Sequence, residues 1–225
     1  MSLLRASWRI LRKDLRIELR TGEVVVTTML FATLVTVAGA LSFFIDEAGA
    51  RQVAPGVLWL SVAFSGVLAM SRSWSRERDH EVFRGLLSSP APRASLYLGK
   101  LFGTLVFMAI VEVVLLLEVG LLFDLSLGKS LGPLLALLGL GSLGFAAAGN
   151  LFAAMGVRTS ARDMVLAVAL FPVIAPALLS GVVGTRELLM GAPLHEVWAW
   201  VRILCAFDVL FVTAGILLFE PLVCD

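Results

Sequence analysis

The chain has 225 residues, 59% of them hydrophobic and 16% charged, with a mean hydropathy of +0.96 and a formal net charge of +1. Those values lie outside the soluble globular range, and the apolar residues come in blocks. Since roughly 20 apolar residues cross a bilayer core of about 30 Å, the blocks predict an all-α polytopic membrane protein with one transmembrane domain spanning 1–225.

Residues 2–22 are predicted to form a charged helix. Leu4, Trp8, Leu11, Leu15 and Leu19 recur at three- and four-residue spacing, while Arg5, Arg9, Arg12, Lys13, Arg16 and Arg20 fill much of the remainder. The pattern fits a helix lying in the membrane interface; the alternative is a solvated basic tail. This segment carries both signs of charge, and the apolar run after it is too long for the core of a cleavable signal, so none is expected.

Six spans follow: about Val24–Phe44, Ala54–Met70, Leu98–Phe123, Leu131–Val157, Met164–Val183 and Trp198–Phe219. Lys and Arg mark the cytoplasmic side of membrane proteins. With the N-terminus inside, fourteen cations fall on the inner side and four (Arg51, Lys129, Arg186 and Arg202) on the outer. Both termini are therefore expected in the cytoplasm. No internal repeat stands out, which disfavours an inverted-repeat carrier.

Between the second and third spans lies Ser71–Lys100, SRSWSRERDHEVFRGLLSSPAPRASLYLGK, expected as a cytoplasmic coupling loop over 71–97. Trp74, Val82, Phe83, Leu86 and Leu87 share one helical face, with Arg76, Asp79, His80 and Arg84 elsewhere and Arg78 interrupting the stripe. A short helix of this kind fits a groove on a soluble partner; a plain positive-inside loop explains the arginines equally. Ser88-Ser89-Pro90 ends it, because proline disfavours helical geometry in the residue before it.

Gly128-Lys129-Ser130 has the ending of a phosphate loop, but position 123, where the first glycine would stand, is Phe. A polar turn is expected there, so ATP would be used only on another subunit. Within the spans, Glu112, Glu118, Asn150 and Asp208 are costly at membrane depth; they suit either a substrate or proton path or polar contacts between helices. Small residues from Ser142 to Ala153, with Pro172 and Pro176, suit a compact bundle with kinks. On the outer side, His195 with Trp198 and Trp200 suggests a contact for haem or a partner, haem iron taking histidine ligands; an interfacial aromatic belt is the alternative. Cys205 and Cys224 have no metal-type spacing. No catalytic constellation and no metal motif is present, so an enzyme is not expected.

Several ordered stretches carry a resemblance. RKDLRIELRTGE (Arg12–Glu23), GVLWLSVAFSGVLAMSRSWSRERD (Gly56–Asp79), LLSSPAPRASLYLGK (Leu86–Lys100), LFAAMGVRTSARDMVLAVALFPVIAPALL (Leu151–Leu179), AFDVLF (Ala206–Phe211) and LLFE (Leu217–Glu220) together resemble the CcmB family, the haem exporter permeases among ABC-2 type transporters. Asp79–Arg84 departs from the family's usual glycine-containing run. The resemblance implies a multi-pass inner-membrane subunit with a coupling element between spans two and three. A separate ATP-binding subunit would hydrolyse ATP beneath it. It further implies a haem-handling membrane protein, a small single-span subunit, a haem chaperone and a permease dimer, with haem transported or handed over and no cofactor bound covalently. No nucleic-acid partner is expected. Trp74, Arg76, Arg78, Val82, Phe83 and Arg84 are the coupling candidates; Glu112, Asn150 and Asp208 are the intramembrane ones. An ABC-2 permease for a lipid or drug, or a non-transporting scaffold of the cytochrome maturation complex, are the other readings.

Overall fold

A computed structural model describes residues 3–42, 47–79, 92–125, 128, 130–156 and 162–224. Among them are α1 (Leu3–Thr21), α2 (Glu23–Ser42), α3 (Glu47–Asp79), α4 (Ala94–Leu122), α5 (Leu131–Gly156), α6 (Arg162–Leu189) and α7 (Leu194–Cys224), and no strand. Six of these, α2 through α7, are long and apolar enough to cross a membrane. The expected all-α architecture is present.

Gly22 separates α1 from α2 with φ +62°, a left-handed conformation that residues with a Cβ enter at a cost. Its N–H donates to the Glu18 carbonyl (2.7 Å), and the Glu18 carboxylate caps the new helix by accepting from the Val25 N–H (2.8 Å). One residue thus turns a charged helix into an apolar one, and the carboxylate satisfies an orphan amide of the new N-terminus.

α3 is longer than its apolar run. The apolar span expected over about Ala54–Met70 is the middle of a longer helix, which continues to Asp79. SRSWSRERD holds neither Gly nor Pro, and Arg72, Arg76 and Glu77 find partners on α1, α2 and α4, so polarity ends the apolar span and not the helix. At the other side, α4 starts at Ala94, with the Pro92 carbonyl accepting from the Ser95 N–H at 2.9 Å. The segment expected as a loop over 71–97 is therefore helical at both ends.

α3 packs against α2, α4, α5 and α6, and α5 packs closely with α6 and α7; α1 lies mainly along α4. Trp59 of α3 shows how tightly. Any Cβ at Gly141 of α5 or Gly181 of α6 would overlap its indole ring, and its Nε1–H donates to Thr185 Oγ1 at 2.9 Å. The outward faces carry Leu117, Leu121, Val209 and Leu217, all exposed in the isolated chain. An apolar outer surface is what hydrocarbon surroundings require.

Candidate functional site: a buried ion-pair lattice at one end of the bundle

α1 has two unlike faces. Leu4, Trp8 and Leu19 point away from the bundle, whereas Ser7, Leu11, Asp14 and Glu18, spaced four, three and four apart, are buried. The inward face is therefore acidic, and it meets cations on α3 and α4.

Lys100 of α4 is 1% exposed. Its ammonium lies 3.0 Å from Asp14 Oδ2 of α1 and 2.7 Å from Glu77 Oε1 of α3. It also donates to the Ser73 carbonyl and Oγ, each at 3.3 Å. Lys13 completes the square, 2.5 Å from Glu77 Oε1 and 3.3 Å from Asp14 Oδ1. Two cations and two anions from three helices thus neutralise one another, as buried charge requires. A looser extension runs outward. Arg76 of α3 places both terminal nitrogens 3.1 Å from Glu18 Oε2 and reaches Glu23 of α2 at 3.4 Å; Arg72 reaches Glu23 at 3.4 Å. A cavity of about 310 Å³ lies alongside, lined by Lys13, Asp14, Glu23, Arg76, Glu77 and Lys100 among others.

Burial alone would lower the Lys13 pKa, but the charges and hydrogen bonds of Asp14 and Glu77 outweigh it and hold the ammonium above the usual lysine value of 10.5.

A second, uncharged layer sits against this lattice. Trp74, wholly buried, donates its Nε1–H to Asn150 Oδ1 of α5 at 2.8 Å. Asn150 Nδ2 in turn donates to Thr104 Oγ1 (3.1 Å) and to the Ala146 carbonyl (2.8 Å). The Lys100 ammonium stands 5.8 Å from the centroid of the Trp74 ring, a cation–π distance. Phe219 of α7 bridges Trp74 and Tyr97, at 6.2 and 5.8 Å between ring centroids. Tyr97 donates to the Ala147 carbonyl at 3.0 Å. Charge thus ties α1, α3 and α4 together, and Trp74 and Tyr97 carry the connection to α5 and α7.

The coupling candidates fare unequally. Trp74 has no exposed surface, and its indole packs from α3 against Asn150 of α5 and Phe219 of α7. Arg76 belongs to the ion-pair extension. Arg78 falls in the last turn of α3, and its side chain lies outside the described residues, as do Val82, Phe83 and Arg84 entirely.

The intramembrane candidates do not converge on one point. Glu112 accepts a hydrogen bond from Ser142 across α4 and α5. Asp208 of α7 lies against α5 where Gly144 leaves room: a Cβ there would stand 2.5 Å from Asp208 Oδ1. Asn150 belongs to the Trp74 layer, and Glu118 accepts from Thr33 at 2.6 Å. Glu112, Asn150 and Glu118 thus make polar contacts between helices, whereas both Asp208 carboxylate oxygens are buried without a hydrogen-bond partner among the described residues. At the opposite end, His195 sits in the first turn of α7, not in a loop. It shares an exposed face with Trp198, whereas Trp200 turns aside and donates to Glu187 Oε2 of α6 at 2.8 Å. Among the described residues no three His, Cys, Asp or Glu side chains gather as a metal site.

Sequence reasoning did not single out Asp14, Glu77 and Lys100. Their available signal was Asp14 and Glu18, acids four residues apart that flank the apolar stripe of α1 on its Leu11 side.

Six helices of membrane-spanning length, with a charged helix clamped to one end by buried ion pairs, define a polytopic membrane protein. The sequence model of the family described as CcmB protein matches residues 5–219, and the chain belongs to that family. It is similar to heme exporter protein B of Bradyrhizobium diazoefficiens, 24% identical over 206 residues that cover 92% of this chain and 91% of that one. It is also similar to heme exporter protein B of Escherichia coli K12, 26% identical over 93 residues covering 41% of this chain and 42% of that protein.

Proposed function

We propose that this chain is the membrane permease subunit of a haem-export or haem-delivery complex in c-type cytochrome biogenesis. It would lie in the bacterial inner membrane with both termini in the cytoplasm. Family membership over residues 5–219 and the relatives' name, heme exporter protein B, support the substrate class. The observation that carries the mechanism is the Lys100–Asp14–Glu77 lattice. It joins α1, α3 and α4 close to where α3 runs into the segment containing Val82, Phe83 and Arg84 and α4 emerges from it. ATP hydrolysis on a separate ATP-binding subunit would press on that segment. Since buried ion pairs break only at a cost of several kcal/mol, α1, α3 and α4 would move together, and Trp74 would pass the displacement to α5 and α7. A haem-handling membrane protein, a small single-span subunit and a haem chaperone would complete the complex, around a permease dimer. The exposed His195–Trp198 face is the outer contact for one of them.

The test is deletion of the gene followed by staining for covalently attached haem. Loss of c-type cytochromes, restored by this chain, is expected. Haem trapped on a membrane partner in the deletion strain would mean that ATP drives release of the loaded chaperone; haem retained inside would mean export. Normal c-type cytochromes in the deletion strain would overturn the reading and return the chain to the wider class of lipid or drug exporters.

A further inference from the structure

One groove belongs to neither the lattice nor the intramembrane carboxylates. It has a volume of about 540 Å³ and runs along α2 and α3, with Phe31, Phe64 and Leu68 on its apolar wall and Ser71, Arg72 and Ser75 at one end. The two lining rings, Phe31 and Phe64, are set by ring contacts, one of them to Phe171 behind the groove. Phe31 of α2 stands edge-on to Phe64 of α3, 6.1 Å between centroids, and Phe64 lies 5.4 Å from Phe171 of α6. Eight residues of α3 separate Phe64 from Arg72, about 12 Å along the helix axis. The groove thus has two aromatic rings and two aliphatic side chains, Val67 and Leu68, on its apolar wall and a cation at one end.

That gradient is selective. An aromatic wall rewards a flat, extended apolar body, which offers its faces and edges to the rings. A guanidinium flanked by hydroxyls rewards a carboxylate at one edge of that body, held by charge-assisted bonds. Arg72 contacts Glu23 at 3.4 Å through one nitrogen, with both side chains about half exposed. A fork of five donors can hold Glu23 and a second carboxylate together. A porphyrin has this shape: a planar macrocycle with its propionates on one edge. Among the described residues no histidine, cysteine, methionine or tyrosine lines the groove, so a haem held here would be gripped by ring and propionate and not by its iron.

We propose that the α2–α3 groove binds a porphyrin dicarboxylate, with the macrocycle against Phe31 and Phe64 and a propionate on Arg72. This rests on the haem-delivery reading and locates its ligand in this subunit, at the edge of the bundle. An iron-free grip suits a passing ligand, because iron ligation would slow its departure.

The experiment uses the full chain in phospholipid nanodiscs, titrated with haem, protoporphyrin IX and haem dimethyl ester and followed by quenching of tryptophan fluorescence. Haem and protoporphyrin IX are expected to bind alike and the ester about tenfold more weakly, the loss of one charge-assisted bond. Arg72→Gln should weaken both diacids about tenfold and leave the ester unchanged. Arg72→Lys should fall between, and Phe64→Ala should weaken all three. Equal affinities for the parent and Arg72→Gln would overturn the proposal. So would haem binding far tighter than protoporphyrin IX, which would place the ligand on an iron-coordinating residue elsewhere. Binding abolished by anionic phospholipid would assign the groove to lipid. A Phe64→Cys variant that disulfide-links two copies even under saturating porphyrin would assign it to a second chain. In cells, parental cytochrome levels with Arg72→Gln would remove the groove from the pathway and leave haem delivery standing. Loss of the haem-delivery reading would appear in the deletion strain, with binding in nanodiscs measured independently.

Discussion

Lys100 on α4 and Glu77 on α3 meet at 2.7 Å with side chains 2% and 3% exposed. A pair so enclosed has given up its hydration, and each partner is tolerable only because the other is present. That reciprocity makes the lattice testable. Lys100→Met should strand Asp14 and Glu77 with Lys13 alone and cost about 3–5 kcal/mol. The double variant Lys100→Met with Glu77→Gln leaves the Lys13–Asp14 pair at 3.3 Å in balance and should recover much of the loss. Thermal unfolding of the detergent-solubilised protein measures both; a double variant no better than the single one would show that the pair's charges are not what the site requires.

The lattice should hardly respond to pH near neutrality. Lys13 titrates above its ordinary value of 10.5, and a cation whose folded pKa is raised contributes stability that is complete below the unfolded value and lost as pH rises through the folded one. Protease protection of α1 should therefore be constant from about pH 6 to about pH 9 and decline only above about pH 10.5. Release of α1 near pH 8 would contradict the assignment of Lys13 as a paired cation.

Two kinds of coupling variant should behave differently. Trp74→Phe removes the donor to Asn150 but keeps most of the ring, costing about 1–3 kcal/mol for the stranded amide oxygen. Because Trp74 is buried, the ATP-binding subunit of the proposed complex should still co-purify, with its ATPase activity no longer linked to cytochrome maturation. Phe83→Asp with Arg84→Ala should leave the chain in the membrane and lose that subunit on purification. Full retention of the subunit by the second variant would remove Phe83 and Arg84 from the docking surface.

The Trp59 clamp predicts intolerance of a single methyl group. Gly181→Ala should force the indole off Gly181, disturb its bond to Thr185 and cost about 1–3 kcal/mol. Gly56→Ala, on the same helix as Trp59 with open space around its Cα, is the control and should be neutral or slightly stabilising. Comparable melting temperatures for the two variants would show that α3, α5 and α6 have slack at this level.

Much of this architecture is readable in the residues. The apolar blocks locate all six spans, because a run of roughly 20 apolar residues is the length that a helix needs to cross a bilayer core. The extent of α3 is less legible at Ser71, where the apolar run ends and the helix continues to Asp79. Charged side chains stop an apolar run without stopping a helix, and nothing in SRSWSRERD breaks one. Trp74 escapes for a related reason: its neighbours Arg72 and Arg76 are polar, but its own direction depends on Asn150, 76 residues away. Lys100 reads as one more cytoplasmic cation. Its burial depends on two acids in other helices, a pairing that local spacing does not encode.

The unbroken run of α3 from Glu47 to Asp79 has a mechanical consequence. Its 33 residues make a rod of about 50 Å, against a hydrocarbon core of about 30 Å. An α-helix shortens very little, so a displacement at the Asp79 tip must reappear as tilt or sliding as far as Pro55, whose missing N–H lets the helix bend before the Glu47 tip. With about two-fifths of its length beyond the hydrocarbon, the rod is a lever whose fulcrum lies where Trp59 is gripped by Gly141 and Gly181. A tilt of about 10° about that point moves a tip some 20 Å away by about 3 Å, roughly the length of one hydrogen bond.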